Sequence, residues 1–120
     1  MAGEKLTSEK QNELIVAEAD KLRGLFTDIS DEKRRVADRL IERVAFMTIT
    51  LKILEDDIKD KGPTYLFENG KQKMFVENPS QKSYNTMINR YTASCKELFN
   101  ILPKEVQEQG DGFDDFLSRG

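Results

Sequence analysis

The chain has 120 residues, 34% of them charged and 38% hydrophobic, with a formal net charge of −3. That is the make-up of one folded, polar domain rather than a disordered chain, and no apolar run approaches the roughly 20 residues that cross a bilayer. The absence of histidine removes the commonest general base and most zinc sites, and one cysteine allows no intrachain disulfide, which fits a reducing compartment.

A first helix begins near Ser8, where Ser8 and Gln11 have capping-box spacing. Ile15, Ala19, Leu22, Phe26 and Ile29 follow at steps of four and three, so residues 1–29 read as an N-terminal helical segment. Thr27 to Ser30 reads as a short break. Ser30 or Asp31 then caps a second helix over residues 31–61, with Glu32 favourable to the dipole in its first turn. Leu40, Val44, Met47, Leu51, Leu54 and Ile58 form its stripe. Val36, Ala37, Ile41, Phe46, Ile49 and Ile53 widen it, which predicts burial on more than one side. Thr48-Ile49-Thr50 has strand propensity, but the helical spacing runs through it. Gly62-Pro63 ends the helix.

Residues 64–77 predict a β-hairpin. Asn69-Gly70 is a type I′ turn signal, with Tyr65, Phe67, Met74 and Val76 beside it. A lone hairpin is marginal, so this one must pack on helices or on a neighbouring subunit. Asn78 caps a third helix with Pro79 in its first position, and Gln81 is placed to reach back. Tyr84, Ile88, Tyr91, Cys95, Leu98 and Leu102 repeat at 4-3-4-3-4 before Pro103 stops the pattern. The expected fold is mainly α: a bundle of three long helices with a small hairpin between the second and third. The apolar surface exceeds what one small bundle hides, which predicts a homo-oligomer. Residues 30–104 form the core oligomerisation region.

Residues 105–120 are an acidic C-terminal tail, with five carboxylates against one arginine. Within it Phe113, Asp114, Asp115, Phe116 and Leu117 make a short acidic stretch with an aromatic face, suited to docking on a partner or to folding back on its own bundle. Cys95, on an apolar stripe, reads as a buried small hydrophobe rather than a nucleophile. Asp56-Asp57 and Asp114-Asp115 could hold Mg²⁺, but adjacent acids on a helix diverge, so solvated surface is the better reading. No catalytic site, metal site or cofactor is expected.

The cations are more informative. Arg35, Arg39 and Arg43 recur every four residues, with Lys33 and Arg34 before them. Lys71 and Lys73 follow the turn, and Lys82 opens the third helix. These are the candidate DNA-contacting residues, because phosphate binding needs concentrated positive charge. Ion pairing with Glu32, Asp38 and Glu42 is the alternative reading. In a ring, a modest stripe repeated by symmetry becomes a continuous positive band.

The order of connectors adds a resemblance. Gly62-Pro63-Thr64, Glu68-Asn69-Gly70, Glu77-Asn78-Pro79, Tyr91, and Leu98 through Leu102-Pro103 resemble, over roughly residues 30–104, the small terminase subunits of tailed bacteriophages. The likeness is strongest to the P27-type small subunits, those of HK97-like phages included. Leu102-Pro103-Lys104 departs from the Gly-Leu-Thr-Pro of many members. The resemblance implies a non-catalytic ring in the host cytoplasm that recognises viral double-stranded DNA and recruits the large terminase ATPase-nuclease. It makes the tail a candidate dock for the large subunit or the portal. A helical protein–protein adaptor without DNA binding is the alternative.

Overall fold

The structure is a computed structural model that describes residues 6–107. Its elements are α1 (Ser8–Arg23), α2 (Asp31–Lys61), β1 (Thr64–Asn69), β2 (Gln72–Glu77), α3 (Pro79–Phe99) and a single turn, α4 (Lys104–Gln107). The protein is mainly helical, with the hairpin between the second and third long helices as expected. It is elongated, 63 × 30 × 23 Å, because α2 alone is about 46 Å long at 1.5 Å per residue.

Local chemistry explains the boundaries. Ser30 caps α2, its side chain accepting from the Lys33 amide, and Gly62 ends it at φ +85°. Asn78 caps α3 with Pro79 next to it. At α1 the expectation was one residue off: Thr7, not Ser8, is the cap and accepts from Lys10 N. Gln11 instead donates to the Leu6 carbonyl. Gln81 does not reach back either; its amide bonds Asn85 at 2.8 Å. α1 also ends earlier than expected. Gly24 closes it, and Phe26 and Ile29 pack against the core from the linker rather than from a helix face. Thr48, Ile49 and Thr50 are helical, since the Thr48 hydroxyl donates to Val44 O and stays within the α2 ladder.

α2 is the spine. α3 runs antiparallel to it, as the pairs Asp57–Ser80, Glu55–Tyr84 and Thr48–Tyr91 show. α1 packs beside the N-terminal half of α2. The core gathers at that end, where Leu22, Phe26, Ala37, Ile41, Val44, Cys95 and Leu98 are all nearly inaccessible. Cys95 is a buried core residue, and burial pushes its thiol up from its ordinary value. The wide apolar stripe of α2 is only partly used: Ala37 and Ile41 are buried, but Val36 and Phe46 stand half exposed.

Beyond the core, α2 and α3 continue as a pair that ends in the hairpin. Its register runs from Thr64↔Glu77 to Asn69↔Gln72, so the loop is Gly70-Lys71. Gly70 has φ +61°, and no non-glycine among the described residues, Lys71 included, has a positive φ. That is the pattern of a II′ turn, with glycine first, rather than the expected I′. Asn78 pins the base: its amide bonds the Gly62 carbonyl, its Oδ1 accepts from Ser80 N, and its backbone N–H donates to Pro63 O. Only Tyr65 and Val76 are half-buried; Leu66, Phe67, Met74 and Phe75 are exposed, Phe75 at 77%. Among the described residues no helix is long and apolar enough to cross a membrane.

Candidate nucleic-acid interface

Four-residue steps turn a helix by 400°, so Arg35, Arg39 and Arg43 share one face of α2, with 6 Å between neighbours by a rise of about 1.5 Å per residue. That face lies opposite the one that buries Ala37, Ile41 and Val44. All three arginines are exposed. Arg35 and Arg39 flank a shallow depression with Glu32 and Val36. The stripe spans about 12 Å, over which one strand of a duplex presents roughly three to four phosphates.

Two of the three carboxylates expected to neutralise this stripe, Asp38 and Glu42, are drawn to Arg23, while the third, Glu32, lines the same depression as Arg35 and Arg39. Arg23 of α1 donates from Nε to Asp38 Oδ1 at 3.4 Å and places its Nη2 3.6 Å from Glu42 Oε1. Arg35, Arg39 and Arg43 form no salt bridge with any described residue.

The other candidate cations divide. Lys33 is exposed in the first turn of α2, but at 100° per residue it projects to one side of the arginine face. Arg34 is withdrawn: its guanidinium donates to Thr27 O at 3.1 Å and ties down the α1–α2 linker. Lys71 and Lys73 sit at the hairpin tip, away from the stripe, and Lys73 pairs with Glu68 at 3.8 Å. Lys82 lies off the arginine face, about 20 Å along α2 from Arg43, because its neighbour Ser80 bonds Asp57. It lines a groove of about 720 Å³ between α2 and α3, together with Arg43 and Arg90. Phe46, Met47 and Met87 supply its apolar surface. The tail residues Phe113, Asp114, Asp115, Phe116 and Leu117 lie outside the described residues.

Arg90 was missed by the sequence reading. The available signal was the polar run Lys82, Thr86, Arg90, Ser94 at four-residue steps, which traces one face of α3 opposite its core stripe. Arg23 was missed as the residue that draws away two of the stripe's counter-charges, and nothing local marks it.

Chemically the surface offers cations and apolar contact. No group of three or more described acids and cysteines is placed to hold a metal ion. Comparison of the chain with protein-family models, with curated proteins and with solved structures returns no match in any of the three.

Proposed function

We propose that this chain is a DNA-recognition subunit of the small-terminase type. It would act in the host cytoplasm of a tailed bacteriophage, bind viral double-stranded DNA and recruit the large ATPase-nuclease without catalytic activity of its own. One observation carries the reading. Arg35, Arg39 and Arg43 form no salt bridge among the described residues, and Arg23 engages Asp38 and Glu42, two of the three acids beside them. An arginine face from which two of three neighbouring carboxylates are drawn away suits phosphate contact, and a protein that neutralises phosphates binds with a steep salt dependence.

Assembly into a ring is part of the same proposal. The hairpin exposes apolar side chains on both faces, with Leu66 opposite Phe75 and Phe67 opposite Met74. A two-stranded sheet gains little stability by itself, so contact with a second copy of this chain is the simplest use of that surface. Symmetry would then set the arginine faces side by side. The test is DNA binding by the purified protein across 50–200 mM salt, together with its molar mass by light scattering. The reading expects a high-order species and salt-sensitive binding.

The hairpin also favours a second reading, a helical adaptor that grips a different protein. A protein with no DNA affinity even at low salt, and a partner lost when Leu66 and Phe75 become serine, would move the conclusion there.

A further inference from the structure

The groove between α2 and α3 has a composition that a phosphate backbone does not explain. Its rim carries Arg43, Lys82 and Arg90, none of them salt-bridged to a described residue. Its one carboxylate, Glu42, is held by Arg23. Its floor is apolar: Phe46 is 50% exposed, beside buried Met47 and half-buried Met87. Sugar-phosphate would satisfy the rim and leave the floor wet. The surface instead suits a short peptide with large apolar side chains and carboxylates next to them.

The chain carries such a peptide. Phe113-Asp114-Asp115-Phe116-Leu117 offers three large apolar side chains and two carboxylates. Its tether is also suitable. Gln107 is anchored at the end of α3, where its amide donates to the carbonyls of Leu102 at 2.6 Å and Asn100 at 3.2 Å. Ser94, at the near end of the groove, lies about 9 Å along the helix axis from Asn100. Extended chain from Gln107 to Phe113 reaches about 20 Å, enough to enter the groove of the same molecule.

We infer that residues 113–117 dock in the α2–α3 groove of their own chain, aromatic side chains on Phe46, Met47 and Met87 and carboxylates towards Arg43 and Arg90. The docked tail covers Arg43 and Arg90 and leaves Arg35 and Arg39 open. It thus screens part of the basic surface from polyanions and is released when another acidic ligand or a partner for the tail takes its place. The docking stands whether or not the arginine face binds DNA.

The experiment uses the full chain with p-benzoylphenylalanine in place of Phe116, and separately in place of Phe113. Benzophenone inserts readily into methionine C–H bonds, so irradiation should join the tail to Met47 or Met87, located by mass spectrometry. In a mixture of ¹⁴N- and ¹⁵N-labelled protein refolded together, the joined peptides should be of one isotope. Heavy–light pairs would assign the groove to a second copy and overturn the fold-back. Products elsewhere on the bundle, or none from either position, would overturn the site. Asp114→Asn with Asp115→Asn should cut the yield several-fold, and an unchanged yield would remove the charge match. As a probe-free check, the methyl signals of Met47 and Met87 should move in a Phe113→Ala, Phe116→Ala chain; signals that stay in place argue against docking.

Discussion

Arg23 of α1 holds Asp38 and Glu42 of α2 at once, at 3.4 and 3.6 Å. The two acids lie on the helix that also bears Arg35, Arg39 and Arg43, Asp38 three residues from Arg35 and Glu42 three from Arg39, the (i, i+3) distance at which side chains pair. A guanidinium from a neighbouring helix therefore draws two counter-charges away from that face.

Replacing Arg23 by alanine should change more than the contact it removes. These bridges are exposed, so the loss of stability should stay below about 1 kcal/mol in chemical denaturation. DNA affinity at low salt should still fall, although Arg23 lies off the arginine face, because the released Asp38 and Glu42 can turn to Arg35 and Arg39. Unchanged binding in a fluorescence-anisotropy titration would break the link between the bridge and the face.

The face itself is tested by the triple change Arg35→Ala, Arg39→Ala, Arg43→Ala. Each phosphate contact contributes about 0.9 to the slope of log affinity against log salt, so the slope should flatten by up to roughly three. Arg34→Ala should instead act on stability, through the lost bond to Thr27 O, and leave the slope nearly as it was.

Leu66→Ser with Phe75→Ser is aimed at assembly. Both side chains are exposed in the single chain, so helicity by circular dichroism should be retained. Light scattering should show a smaller species than the parent protein. If the mass is unchanged, the hairpin is not the contact between copies.

Glu18 sets a pH dependence. Its carboxyl sits among buried residues with Oε2 lacking a hydrogen-bond partner among the described residues. Burial raises its pKa above the ordinary 4.5, only partly offset by Lys21. The folded state thus holds the proton more tightly than the unfolded one. The stability linked to this group is full below pH 4.5 and is lost as pH rises through the raised folded value. Glu18→Gln should be more stable than the parent at pH 7, with the difference shrinking towards pH 4 in urea titrations. Asp57 slopes the other way. Bonds from Ser80 and Lys61 lower its pKa below the ordinary 3.8, so its contribution is present above pH 3.8 and lost below.

In the core, Leu98→Ala should cost about 2–5 kcal/mol, the range for a fully enclosed leucine in a site that cannot collapse. A much smaller loss would mean that the junction of α1, α2 and α3 is loosely packed.

The helix and hairpin positions were legible because their signals are local. Ser30, Gly62-Pro63 and Asn78-Pro79 act through bonds to backbone groups within about four residues, or through a φ that a single residue imposes. Even the errors were local ones: Thr7 won the α1 cap from its neighbour Ser8, and a register that pairs Asn69 with Gln72 put Gly70 first in the loop.

The sequence by itself determined the three helices, the hairpin and the apolar stripes that must face inward, since each follows from periodicity and backbone bonding over a few residues. Which charges remain unpaired was decided only by tertiary packing. α1 had to lie against α2 before Arg23, fifteen residues from Asp38, could claim it. α3 had to run back along α2 before Lys82 and Arg90 could share a groove with Arg43. Coulomb interactions act across space rather than along the chain, so charge order alone carries no record of the partners that packing brings within a few ångströms.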